Sequence, residues 1–270
     1  MQDTDCLIRN PSPLTADEMR AVKYYEGDIA DAERDDLFYG DARAYVTLNA
    51  LLYDDLAAEY TRVREGKRLN PEMLRDLPRL VHLYDCLLTA SQKGAQEAAQ
   101  TGCRVERLSD FQVCLQSGKT GAFTSTSQSG FLPDYGDKQQ IVLLTYHVPA
   151  GTPVIIFSQM LDNYLKSNED ELLLPPFLRF AAKARPLTDA DRRITDLQGE
   201  PPAAAYDLFV LPDQRITMHA DAVLLPEVYD SAVRLYAQIQ QNLPEAQLCP
   251  EDAAAYLRFK RALRNLFAAN

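Results

Sequence analysis

From about Gly102 onward the hydrophobic pattern of this chain changes period, and that change most narrows what it can fold into. Before it, apolar residues recur at helical spacing: Tyr45, Leu48, Leu51, Leu52 and Leu56, then Leu80, Tyr84, Leu87 and Leu88. Thr15-Ala16-Asp17-Glu18 has the form of a capping box opening a helix, and Pro71 and Pro78 sit where helices start. After it come short β-rich runs at Ala122–Ser125, Ile141–Val148, Val154–Phe157, Glu171–Leu174, Phe177–Ala181 and Tyr206–Leu211. Turn residues such as Gly130, Pro133, Gly136, Pro149-Ala150-Gly151 and Pro175-Pro176 separate several of them. No long helical pattern stands between most of these runs, so hairpins and mixed sheets are predicted, not a doubly wound parallel sheet. Helix returns toward the C-terminus, with Val228, Ala232, Leu235 and Ile239 on one stripe and Tyr256, Phe259, Leu263 and Leu266 on another, both read as core. The expected class is α+β: a helical region over 1–98, a β-rich core over 99–212 and a helical extension over 213–270. Leu197 to Ala205, with Gly199, Pro201 and Pro202, is expected to be a mobile loop.

Hydrophobic residues make up 46% and charged residues 25%, which excludes disorder over most of the length. The net charge of −11 repels a phosphate backbone, so nucleic acid is not an expected partner. Arg258, Lys260, Arg261 and Arg264 are expected to form a solvated helix face complementing the helix dipole. Cys6, Cys86, Cys103, Cys114 and Cys249 are odd in number and show no CxxC or zinc-like spacing. A reduced compartment fits them, with Cys86 in the core. His82, His147 and His219 form no HExxH or HxH, and no metal is expected. Met1 to Pro13 has no apolar signal region and no stretch reaches membrane-spanning length, so the expectation is a cytoplasmic protein that meets no membrane. Export by a machine that reads a different signal stays open.

Two segments carry the candidate chemistry. Glu169 and Glu171, two apart on a strand, point to one face. A glycosidic bond that breaks through an oxocarbenium-like state needs a carboxylate beside the developing charge. A second carboxylate can orient a guanidinium acceptor or take its proton. Upstream, Phe123-Thr124-Ser125-Thr126-Ser127 puts Ser125 and Ser127 on one strand face and Thr126 on the other. Small hydroxyls let a nucleotide approach the sheet and can hold a carboxylate. Further upstream lie Arg104 and Arg107, either of which could grip phosphate through its planar fork. Phe131 and Tyr135 follow the hydroxyl triplet in a Gly/Pro-rich loop, where an aromatic ring can stack on a ligand or simply pack.

An arginine, then Ser-Thr-Ser, then Glu-x-Glu running into Leu-Leu-Leu-Pro-Pro-Phe resembles the Arg–Ser–Glu class of mono-ADP-ribosyltransferases. The likeness covers roughly Gly102 to Phe180. It extends loosely to Ala21–Asp28, similar to the family's "Y-T-G" stretch, and to Leu48-Asn49-Ala50-Leu51-Leu52, similar to its "I-N-x-x-L" segment. It implies two small mixed or antiparallel sheets forming a cleft for NAD, which is substrate and not a resident cofactor. It implies Glu171 as the catalytic glutamate, Glu169 as the residue preparing an acceptor arginine, and Ser125 as the support of Glu171. Arg107 is the expected phosphate grip by position, with Arg104 as the alternative. Thr126, Ser127, Phe131 and Tyr135 complete the expected NAD contacts, and Gln159–Asn168 would be the substrate-recognition loop. Leu108 and Glu106 stand where the family carries glycine and an aromatic residue. The implied partner is a target protein carrying an acceptor arginine, with the C-terminal helices as the place for the target or a regulatory protein. The other readings are an NAD glycohydrolase and an inactive interaction module on the same fold. A bacterial effector toxin delivered into a host cytosol is one setting that shares this signature.

Overall fold

A computed structural model describes residues 14–27, 43–129, 138–161, 170–219 and 227–269. Glu169, Phe131 and Tyr135, and residues 162–168 of the expected recognition loop, lie outside the described residues.

Helix α1 (Ala16–Glu26) opens on the capping box read from the sequence. The Thr15 hydroxyl accepts from the Glu18 N–H at 3.2 Å and the Glu18 carboxylate accepts from the Thr15 N–H at 2.7 Å. Glu18 also takes Lys93 Nζ at 2.6 Å, from the last turn of α4 (Leu77–Lys93). Pro78 lies in the first turn of α4, and Pro71 opens a short 3₁₀ turn over 71–74, as expected of prolines at helix starts. Tyr84, fully buried on α4, donates to the Leu48 carbonyl at 2.7 Å and so fixes α2 (Ala44–Ala50) against it. Helix α3 (Ala57–Arg64) follows.

Among the described residues, the β-rich part is one seven-stranded sheet in the order β4-β5-β2-β1-β3-β7-β6. Its strands are β1 (Gln100–Arg107), β2 (Thr124–Ser127), β3 (Ile141–Val148), β4 (Ile155–Ile156), β5 (Glu171–Leu174), β6 (Phe180–Arg185) and β7 (Ala204–Val210). Among the described residues, only β3 and β7 pair in parallel. The two expected small sheets are thus joined, but barely: β1 and β2 meet in the single pair Cys103↔Ser127, whereas β1 and β3 pair along their whole length. Two blades, β4-β5-β2 and β1-β3-β7-β6, hinge at that pair.

Gly102 sits beside the hinge, where a Cβ would stand 2.1 Å from Thr126 Oγ1 and 2.7 Å from Thr126 Cβ. Glycine here lets the blades approach. Gly102→Ala should lower the unfolding free energy by about 1–3 kcal/mol, the cost of overpacking a tight contact. Denaturant unfolding of the variant checks this, and an unchanged midpoint would show that the hinge can spread freely.

Three elements differ from expectation. Helix α5 (Leu108–Ser117) lies between β1 and β2, burying Phe111. Strand β6 begins at Phe180, three residues later than its apolar run. Pro175 and Pro176 cannot donate to a ladder, and Phe177, at φ 64, turns the backbone to give its N–H to the Thr120 carbonyl at 3.0 Å. The C-terminal part holds α7 (Tyr229–Gln240) and α8 (Pro250–Arg264), and also an antiparallel pair of β8 (Ile216–Met218) with β9 (Phe267–Ala269) that closes across both helices. α6 (Phe157–Met160) is a single turn after β4.

The stretch 197–205 is pinned at its start. Asp196, 6% exposed, accepts from the N–H groups of Gln140, Gln198 and Glu200 at 2.8, 2.8 and 3.0 Å. The basic cluster near the C-terminus is not a solvated face throughout: Lys260 is fully buried and ion-paired to Glu59 of α3 at 2.6 Å. One continuous hydrophobic cluster takes residues from α1–α4, from both blades and from α7 and α8. Cys86 belongs to it. A small second cluster of Val105, Ile141, Leu143 and Ala205 is covered by Leu187 and Ile194. Among the described residues, no helix is long and apolar enough to cross a membrane.

Candidate active site

The hydroxyl triplet forms β2, held between β5 and the hinge to β1. The register pairs Ser127 with Glu171 and Ser125 with Leu173. Ser125 and Glu171 therefore share a face one diagonal apart, within reach of a side-chain contact. That contact is made: Ser125 Oγ donates to Glu171 Oε1. Thr126 points the other way, 3% exposed, and donates to the Leu172 carbonyl at 3.0 Å. Its role is to tie β2 to β5. Ser127 Oγ lies 3.1 Å from Ser129 Oγ.

Of the two arginines, Arg104 is the one beside this pair. Its Nη1 donates to the Ser125 carbonyl at 2.8 Å, bridging the blades where the backbone ladder has ended. Arg107, the arginine favoured by position, ends β1 and stands at the start of α5. Its Nε is 3.5 Å from Glu65 Oε1. Arg104 lies opposite β2 near the hinge pair Cys103↔Ser127, and Arg107 lies past the end of β2.

A cavity of about 70 Å³ opens between α2, α3, α5 and the sheet. Asn49, Tyr53, Arg62, Arg104, Glu106 and Thr124 line it. Ser125 and Glu171 are not part of this lining, and Arg104 is the link between cavity and pair. Asn49 donates to the Tyr25 hydroxyl at 2.9 Å, and Tyr25 reaches the Phe123 carbonyl at 3.5 Å, directly before β2. Burial pushes the Tyr25 phenol well above its ordinary pKa, so it stays a neutral linker between α1, α2 and β2. Asn49 Oδ1 is buried without a partner among the described residues, an acceptor open to a ligand hydroxyl.

The electrostatics are unusual for an acidic chain. Glu106 binds Arg104 and lies 3.7 Å from Lys138 Nζ; Glu65 meets Arg62 at 3.1 Å, Lys67 at 3.5 Å and Arg107 at 3.5 Å. Burial opposes the charged form of Glu106, but the Arg104 and Lys138 charges override it and hold the carboxyl far below the usual range. Burial pulls the Lys138 ammonium down to about 8, with Glu106 opposing. Burial and the Glu106 charge together raise the Asp110 carboxyl at the cavity wall.

Of the residues expected from the sequence, the structure brings Ser125, Glu171 and Arg104 together and places Arg107 beside Glu65. Sequence reasoning flagged the Asn49 segment without a role. It missed Tyr53 and Arg62, which arrive from helices whose spacing signals only a packed face.

No protein-family model matches the chain, and no curated protein does. Similar solved structures are ADP-ribosylating proteins of bacteria. The ADP-ribosylating toxin BECa of a binary enterotoxin of C. perfringens, solved with NADH, is 14% identical at a TM-score of 0.45 over 73% of this chain, which spans 44% of that chain's length. C3larvin toxin, an ADP-ribosyltransferase from Paenibacillus larvae, is 18% identical at a TM-score of 0.39, covering 74% of this chain and 97% of its own. An ADP-ribosyltransferase from Clostridium botulinum is 13% identical at a TM-score of 0.41, covering 73% and 88%. At such identities and TM-scores no residue role is carried from these proteins to this chain.

Proposed function

We propose that the chain is an NAD-dependent protein mono-ADP-ribosyltransferase that transfers ADP-ribose to an arginine of a target protein and releases nicotinamide. The observation that carries this reading is the Ser125–Glu171 contact at the hinge of two blades, with the Arg104 guanidinium on the Ser125 carbonyl. In this reading the cleft beside Arg104 takes the dinucleotide, and Arg104, not Arg107, grips its diphosphate. Ser125 fixes the Glu171 carboxylate in one orientation. As the C–N bond to nicotinamide breaks, the leaving ring keeps the electron pair and positive charge grows on the ribose. Glu171 stabilises that charge through a carboxylate fixed in place before the bond breaks. The acceptor guanidinium nitrogen then bonds to the same carbon and gives up a proton, which Glu169 takes. Target selection falls to the C-terminal helices, and the site of action is a cytosol, reached in a host by a non-classical route.

The test is incubation of the pure protein with labelled NAD and a cell lysate, beside a Glu169→Ala/Glu171→Ala double variant. Label transferred to lysate proteins by wild type only, through a bond with the hydroxylamine behaviour of an arginine adduct, supports the reading. Nicotinamide release without transfer converts it to NAD glycohydrolysis. Absence of both NAD binding and turnover in a folded protein would leave an interaction module.

A further inference from the structure

Glu106 grips Arg104 along the edge that a guanidinium uses for planar anions. Arg104 Nε and Nη2 reach the same Glu106 oxygen at 2.7 and 2.6 Å. The other Glu106 oxygen accepts from the Arg107 N–H at 3.1 Å and lies 3.7 Å from Lys138 Nζ. Among the described residues, Arg62, Lys67 and Arg107 stand around Glu65, and Arg104 and Lys138 around Glu106. Among the described residues, the charged lining of the cavity is Asp55, Glu106 and Asp110 with Arg62 and Arg104. Arg62 and Arg104 both face the cavity. The Nε–Nη2 edge is suited to bidentate capture of phosphate.

We infer that Glu106 is a positioning residue that stands in for the diphosphate of the nucleotide in the ligand-free chain, keeping the Arg104 fork aligned and yielding it when the diphosphate binds. The inference rests on the ADP-ribosyltransferase reading of the cavity. Glu106 follows Arg104 by two residues on β1, so the two share a face and the carboxylate can leave by side-chain rotation alone. Lys138, which also donates to the Val105 carbonyl at 2.6 Å, gives the displaced carboxylate a second partner, so the handover strands no buried anion.

The experiment is calorimetric titration of ADP-ribose, which the chain does not consume, into wild type and Glu106→Gln. Glutamine keeps the shape and one acceptor but not the charge. Apparent affinity scales with the fraction of molecules whose fork is available, so Glu106→Gln should bind about five- to tenfold more tightly. Unchanged or weaker binding, or no binding by either protein, overturns the inference. Should the variant misfold, a crystal structure of wild type with ADP-ribose decides. The diphosphate on the Nε–Nη2 edge with the Arg104–Glu106 contact opened supports the inference, and that contact intact with the diphosphate elsewhere overturns it. Tighter ADP-ribose binding by Glu106→Gln without any NAD cleavage by wild type would sink the transferase reading and leave the placeholder standing. Cleavage without tightening would sink only the placeholder.

Discussion

Glu171→Gln should lower nicotinamide release by about two to three orders of magnitude, the usual loss when one preorganised charge-stabilising group is removed. The change is isosteric at the first residue of β5, where Glu171 is partly exposed, so the fold should survive it. The carboxylate acts on charge that exists only as the C–N bond breaks, so the loss should fall on kcat with KM for NAD little changed. Ser125→Ala should cost less, roughly tenfold, because it removes one hydrogen bond of about 1–1.5 kcal/mol that orients the carboxylate and leaves the charge in place. The two residues act as a unit, so the double variant should be no slower than Glu171→Gln alone. Steady-state nicotinamide release on the four proteins checks the set. Full release by Glu171→Gln would remove Glu171 from the reaction, and additive losses would mean that Ser125 acts by another route.

The Ser125–Glu171 pair was legible because both residues lie on short strands with period-two alternation, and the order of motifs set them on neighbouring strands. The arginine was not legible to the same degree. Arg104 and Arg107 sit in the same strand with similar neighbours, and only the Cys103↔Ser127 hinge pair shows which of them faces β2. Nor does a sequence show that two blades meet in a single pair, since that depends on the close contact of Gly102 with Thr126. Helix α5 was hidden because its mixed face buries chiefly Phe111, too little apolar periodicity to stand out. The buried Lys260 was read as solvated because its partner Glu59 lies 201 positions away, where no local pattern reaches.

That pair should be the most sensitive point for stability. Lys260 and Glu59 are both fully buried, joined at 2.6 Å. The Lys260 ammonium also donates to the Asp55 carbonyl at 2.5 Å, and Glu59 Oε1 accepts from Tyr256 Oη at 2.8 Å, which in turn meets Tyr236 Oη at 2.6 Å. The cluster pins α8 and α7 to α3. Lys260→Met should leave the Glu59 carboxylate buried without its counter-charge and cost about 3–5 kcal/mol. At roughly 2–4 °C per kcal/mol for a chain of this size, the Tm should fall by roughly 10 °C. Glu59→Met should do similar damage by stranding the ammonium. The double variant should recover most of the loss, because a well-packed apolar pair replaces two charges that no longer need each other. Calorimetric melting of the four proteins measures the coupling, and a Lys260→Met protein as stable as wild type would show that water reaches Glu59. The consequence reaches the site, because Arg62 lies on α3 one turn beyond Glu59 and lines the cavity beside Arg104. A chain that loosens α8 from α3 should therefore lose nucleotide affinity before it loses its sheet, and ADP-ribose titration of Lys260→Met at a temperature well below its Tm separates the two.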